Sequence, residues 1–193
     1  MLRLSSFLVV GLIVLTLDAG VARPPIDKNH SSIAFHVPIM NGMSKVHGGF
    51  SDFDIQLDYD ADDITKSAVH TVIKADSINT GITARDNDLR GPGFFDTAKY
   101  PTITFDSTKI EKAGDHYTAH GNFTMHGATH EIEFPFKLTG TVNDPRTGKR
   151  VVGFAGTLNL NRRDYGVNWT HPLDPTFVGD RIEVELEVLT KKF

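Results

Sequence analysis

Residues 121–136 read GNFTMHGATHEIEFPF. Phe123 and Met125 alternate with Asn122 and Thr124, and Ile132, Phe134 and Phe136 alternate with Glu131, Glu133 and Pro135. A period of two puts the apolar residues on one face of an extended chain. Gly127-Ala128 separates the two runs, so the stretch predicts a β-hairpin with a tight connection. His126 and His130 stand four residues apart, a spacing that suits metal ligation on a helix, where both rings share a face. On a hairpin, parity groups His126 with the outward residues and His130 with inward Ile132 and Phe134. The pair is therefore expected to flank a turn at the rim, and no metal is assigned to it.

The same period runs outward from this hairpin in both directions. Alternating sets occur at Ile33–Ile39, Phe53–Tyr59, Val69–Ile73, Ile103–Phe105, Tyr117–Met125, Ile132–Leu138, Val152–Leu160 and Ile182–Val188. In the last of these Glu183, Glu185 and Glu187 mark the solvent face. Turn signals separate the runs, among them Asn41-Gly42, Gly114-Asp115, Asp144-Pro145 and Gly179-Asp180. Half-buried strands of this kind are expected in an antiparallel all-β domain, either a closed barrel or a sandwich. An interior rich in Phe, Ile, Leu and Val fits a packed core and a ligand-holding barrel equally well.

Composition narrows the function classes. The chain has 193 residues, a formal charge of −4 and no cysteine. One domain of this size can build a core without disulfides. Thiol catalysis, thiolate metal sites and lipidation of a cysteine are excluded, and the mild acidity gives no footprint for nucleic acid. Residues 1–22 contain Arg3, an apolar run from Phe7 to Leu17, and the small residues Gly20 and Ala22. This predicts a cleaved secretory signal peptide, with an uncleaved anchor as the other reading. The remaining domain, 23–193, is expected in a periplasm or outside the cell.

One segment breaks the strand pattern. ITARDNDLRGPGFFDTAKYP, residues 82–101, opens with a helix-compatible stretch that Gly91-Pro92-Gly93 ends. Asp86 and Arg90, and Arg85 and Asp88, are spaced for ion pairs along that helix. The segment is read as a helical insertion that plugs one end of the sheet structure. As a gate, it would use Arg85 or Arg90 to meet an anionic head group.

Several motifs carry a family resemblance. ARDNDLRGPGFFDTAKYPTITF, then GNFTMHGATHEIEFPF, LNRRDYGVNW at 160–169 and the closing VGDRIEVELEV occur in order after IDKNHSSIAFHV at 26–37. Together they resemble the YceI-like, polyisoprenoid-binding proteins over the whole of residues 23–193. The chain departs from the usual pattern at Asp88 and Gly93, where that family often has His and Asp. The resemblance implies an extended eight-stranded antiparallel lipocalin-like barrel, with the short helical insertion between the third and fourth strands. It also implies an exported carrier or binding protein for a long apolar tail: a polyisoprenoid, an isoprenoid quinone or a fatty amide. No other cofactor is expected. A hydrophobic small molecule is the expected partner; transient membrane contact is compatible with that role, and since some members of the family are dimers, monomer and homodimer both stay open.

On that reading the tail contacts Phe35, Val37, Phe53, Phe105, Phe134, Phe136, Phe154 and Leu158. Arg85, Leu89, Phe94, Phe95 and Tyr100 line the helical end, and Tyr165 and Trp169 border an entrance. An enzyme is the weaker reading. Asp106, His116, Arg162 and Asp164 offer acid-base groups, but no G-x-S-x-G, H-E-x-x-H, P-loop or dinucleotide fingerprint accompanies them. A stress-response interaction protein with a solid barrel is the other alternative.

Overall fold

The computed structural model describes residues 21–193. The signal-peptide expectation therefore falls almost wholly outside the described residues. The domain is a single antiparallel sheet of ten strands curled into a half-barrel, in the order β3-β4-β6-β7-β8-β9-β10-β1-β2-β5. The strands are β1 (Ser32–Ile39), β2 (Ser44–Phe50), β3 (Phe53–Asp58), β4 (Ala68–Lys74), β5 (Ile78–Asn79), β6 (Thr102–Ala113), β7 (His116–Met125), β8 (Ala128–Asn143), β9 (Arg150–Asn161) and β10 (Arg181–Leu189). One helix, α1 (Thr83–Arg90), lies between β5 and β6.

All eight expected runs are strands, but the count of eight is corrected to ten. The two additions are β2 and β5. SKVHGGF lacks a clear alternation because Gly48 occupies an inward position between Val46 and Phe50. That glycine is required: a Cβ there would stand 2.4 Å from Cζ of Phe35, its partner across β1. An aromatic ring covering a cross-strand glycine compensates for the missing side chain. β5 has only two residues and could not show a period.

The ends of the sheet meet at one corner. β2 runs through Ser51 and Asp52 into β3, and β4 runs through a 3₁₀ turn into β5. The Ser51 N–H donates to Ser77 O at 3.2 Å and the Lys74 N–H donates to Asp52 O at 2.9 Å. Backbone pairing thus continues between the β2–β5 and β3–β4 ladders.

The 121–136 stretch forms the expected hairpin, with β7 and β8 in register from Tyr117↔Phe136 to Met125↔Ala128. Its two loop residues, His126 and Gly127, have φ of 51° and 78°. Positive φ at both positions is the geometry whose twist matches that of the flanking strands.

Candidate functional site

The inward side chains of the strands do not meet in the middle. They enclose a cavity of about 870 Å³. Its walls include Ile33, Phe35 and Val37 from β1, Phe105 and Ile110 from β6, Phe134 and Phe136 from β8, and Leu158 and Val184 from β9 and β10. It extends from Ile39, Trp169 and Val178 near α1 to Leu57, Tyr59 and Ile64 at the opposite end. A volume of this size is in the range that holds a drug-sized or larger ligand.

Two aromatic walls explain how space survives inside. Phe35 leans across β2 onto Gly48, and Phe105 leans onto Gly121, where a Cβ would lie 2.6 Å from its Cζ. Phe105 also packs on Phe134, with ring centroids 5.4 Å apart. Rings laid along the wall need no partner across the axis.

The charged groups of the lining gather toward the α1 end. Arg85, Asn87, Asp88 and Arg162 line the cavity there. Arg85 donates from Nε to Thr80 Oγ1 at 2.8 Å and from a terminal nitrogen to Thr80 O at 3.0 Å. These bonds occupy two of its five N–H groups. The expected ion pairs within the helix are not formed. Arg90 instead donates to Asp76 O and Ile78 O at 2.6 and 2.7 Å. Asp86 is buried and accepts from the Thr80 N–H at 2.8 Å and its hydroxyl at 2.6 Å. The Thr80 hydroxyl is the main reason its carboxyl is held below the ordinary value, with burial opposing. These bonds satisfy more backbone and hydroxyl groups than exposed side-chain pairs on a short helix would.

Arg162 organises the loop that follows β9. It is only 4% exposed. Its guanidinium donates to Val167 O at 2.7 Å, Trp169 O at 2.9 Å and Gly179 O at 3.1 Å, and pairs with Asp180 at 2.8 Å. The loop is also tied to the β1 end by Met40 N to Phe177 O and Gly179 N to Pro38 O, each 2.8 Å. Trp169 is thereby held against Phe94, stacked at 5.2 Å.

Of the residues expected from sequence, Phe35, Val37, Arg85, Leu89, Phe94, Phe95, Phe105, Phe134, Phe136, Phe154, Leu158 and Trp169 line the cavity. Three do not. Phe53 follows the β2–β3 corner and is buried in the core with Ile73 and Ile103. Tyr100 covers Gly127 and the His126 ring, 4.3 Å away, outside the hairpin turn. Tyr165 sits in a 3₁₀ turn, edge-on to Phe123 at 5.3 Å and to His130 at 4.9 Å. Sequence reasoning missed Phe50, which joins Phe35 and Phe95 in the wall, because β2 was not legible as a strand.

The two opening histidines share a task that parity alone did not predict. His126 Nδ1 lies 3.0 Å from Tyr165 O, and His130 Nε2 lies 2.9 Å from Asp164 O. The left-handed turn re-aims His126, so both rings clamp the same 3₁₀ turn. Of the acid-base groups, Asp106 pairs outward with His70, and His116 pairs with its neighbour Asp115. Arg162 alone faces the cavity, with its donors committed to the loop.

The chain is similar to several known proteins. A UPF0312 protein of Yersinia pestis (strain Pestoides F) is 36% identical over 161 residues, covering 82% of this chain and 83% of the relative. The Campylobacter jejuni YCEI protein superposes with a TM-score of 0.70 at 28% identity, covering 78% of this chain and 86% of that one. BcnA of Burkholderia cenocepacia shares the fold, with a TM-score of 0.76 at 21% identity over 86% of this chain and 99% of BcnA. A polyisoprenoid binding domain from Saccharophagus degradans also shares it, with a TM-score of 0.64 at 16% identity over 90% and 99% of the two chains. Residues 25–189 match the model of the YceI-like domain, and the chain belongs to that family.

Proposed function

We propose that this protein binds and carries a long apolar or amphiphilic lipid: a polyisoprenoid, an isoprenoid quinone or a fatty amide. The observation that carries the proposal is the apolar cavity of about 870 Å³ running between the two ends of the sheet. Each methylene moved from water into such a site contributes about 0.8 kcal/mol. A wall without fixed polar partners along most of its length gives affinity for a tail with little demand on its sequence of substituents. The polar end suits a head group. Arg85 and Asn87 offer donors there, with Trp169 and Phe94 as an apolar collar.

The YceI-like domain match favours a binding protein over an enzyme, and Asp106 and His116 form their ion pairs outside the cavity lining. The polyisoprenoid binding domain of S. degradans, built on the same fold, supports the choice of ligand class. Exposed Met40, Met43 and Leu173 stand on the hairpin and loop at the α1 end, where a membrane would be met during loading. With the signal peptide expected over 1–22, the carrier works in a periplasm or outside the cell.

Native mass spectrometry of the gently purified protein, followed by extraction and lipid identification, tests the proposal. The expected result is a stoichiometric adduct with a long apolar tail. A bare mass that stays unchanged after incubation with isoprenoid quinones, prenyl phosphates and fatty amides refutes it and favours an interaction protein without cargo.

A further inference from the structure

The outer face of the sheet carries a second constellation, unrelated to the cavity. β1 is flanked by β10 on one side and β2 on the other. The registers place Glu183 directly opposite His36 on one side and His47 directly opposite it on the other. Glu185 is the next outward residue of β10. Ligand atoms of His36, Glu183 and Glu185 lie within 4.8 Å of one another. His36 Nε2 is 3.3 Å from a Glu185 carboxylate oxygen, and its side chain is only 17% exposed.

The other nitrogen of the same ring explains why this cluster differs from an ordinary surface ion pair. His36 Nδ1 is 2.7 Å from His47 Nδ1. Two such nitrogens can share one proton, so one ring donates and the other accepts. When His36 is the donor, its Nε2 lone pair is free and points toward the two carboxylates. A histidine that ligates a metal usually donates its other N–H to a fixed partner in this way. His120 supplies the contrast. Its carboxylate partners Glu111 and Glu133 sit on opposite ring nitrogens, at 2.9 and 3.3 Å, so no one ion can touch all three.

We propose that His36 Nε2, Glu183 and Glu185 form a binding site for a divalent transition-metal ion, with Zn²⁺ the best match, and that His47 is its positioning residue. One imidazole and two carboxylates form an N/O set that zinc accepts, with water completing the shell. Two neighbouring strands supply the ligands and a third supplies His47, so their spacing is fixed by the ladders and needs no loop to order. Lys45, whose Nζ lies 3.9 Å from a Glu183 carboxylate oxygen, is a rival cation for that carboxylate.

The test uses the untagged protein, dialysed against a chelator and then titrated with Zn²⁺, with bound metal counted by elemental analysis. The wild type is expected to take up close to one equivalent and to melt at a higher temperature when loaded. His36→Gln and Glu185→Gln should each weaken binding by tens-fold or more. His47→Gln should weaken it about ten-fold, the lower range for loss of an outer partner. Lys45→Met should tighten binding several-fold, which a purely structural role for this patch would not produce. The proposal is overturned if the wild type retains less than a tenth of an equivalent at micromolar free Zn²⁺. It is equally overturned if His36→Gln and Glu185→Gln, both folded by circular dichroism, retain wild-type affinity.

Discussion

Val184 lies midway along β10, between Phe35 on β1 and Leu158 on β9, and faces the cavity. Replacing it by Trp would place an indole across the path of a bound tail. An aromatic side chain of this size covers roughly 150–250 Å². If about half of its surface displaces the tail, roughly 100 Å² of apolar contact is lost, which at about 25 cal/mol per Å² is about 2.5 kcal/mol. That corresponds to roughly seventy-fold weaker binding. Stability should hardly change, because the indole enters existing space; in a filled interior the same substitution would cost about 1–3 kcal/mol through overpacking. Titration with an isoprenoid quinone gives the affinity and a urea melt gives the stability. Thr157→Trp, on the exposed face of β9, is the matched control. A folded Val184→Trp protein that binds within two-fold of wild type would refute the path proposed for the tail. A loss of stability without loss of affinity would show that Val184 belongs to a solid core.

Arg162→Met removes the donor shared by Val167, Trp169 and Gly179, while Asp180 keeps Arg163 as its partner; it should cost about 1–3 kcal/mol in a denaturant melt for each carbonyl that stays buried and unpaired. The same variant should release Trp169 from Phe94, read as a red-shifted and more quenchable emission from the single tryptophan. Acid should destabilise the fold in a defined window. The Asp144 carboxyl is drawn down to about 2 by the Lys192 ammonium and the Arg146 N–H, and those of Asp86 and Asp27 are also lowered. A carboxyl whose folded value lies below its unfolded value stabilises the fold above the unfolded value, so this contribution should fade as pH drops from about 4 toward 2. Asp144→Asn should flatten the pH dependence of the melting temperature over that interval. Gly48→Val should force the Phe35 ring off β2 into the cavity, costing about 1–3 kcal/mol and reducing lipid capacity in the mass-spectrometric assay.

The strands were legible wherever polar residues alternate with bulky apolar ones, as in RIEVELEVL, because a sheet with one wet face imposes that pattern. β2 was not, since its inward Gly48 carries no hydrophobic signal and acquires its role from a ring on another strand. The same limit applies to the site. Phe35, Phe105 and Phe134 could be placed on the inner face by parity. Whether Phe53 reaches the cavity depends on a corner, and whether Tyr165 does depends on a 3₁₀ turn held by His126 and His130. The cluster of His36, Glu183 and Glu185 was invisible for a related reason. Its members are nearly 150 residues apart in the chain and become neighbours only through the register of β1 on β10.

Hollowness has a physical origin that binary patterning does not encode. An inward Phe can project toward the axis and meet its counterparts, or lie back along the wall if the neighbouring strand leaves room. Gly48 and Gly121 leave that room, and Phe35 and Phe105 take it. Both outcomes bury the ring, so both satisfy the hydrophobic term of folding equally. Only the second leaves the axis open for a tail. The inward glycines are therefore as much a part of the lipid site as the aromatics that cover them. Enlarging one of these glycines should close the cavity from the wall as effectively as placing an indole in its path.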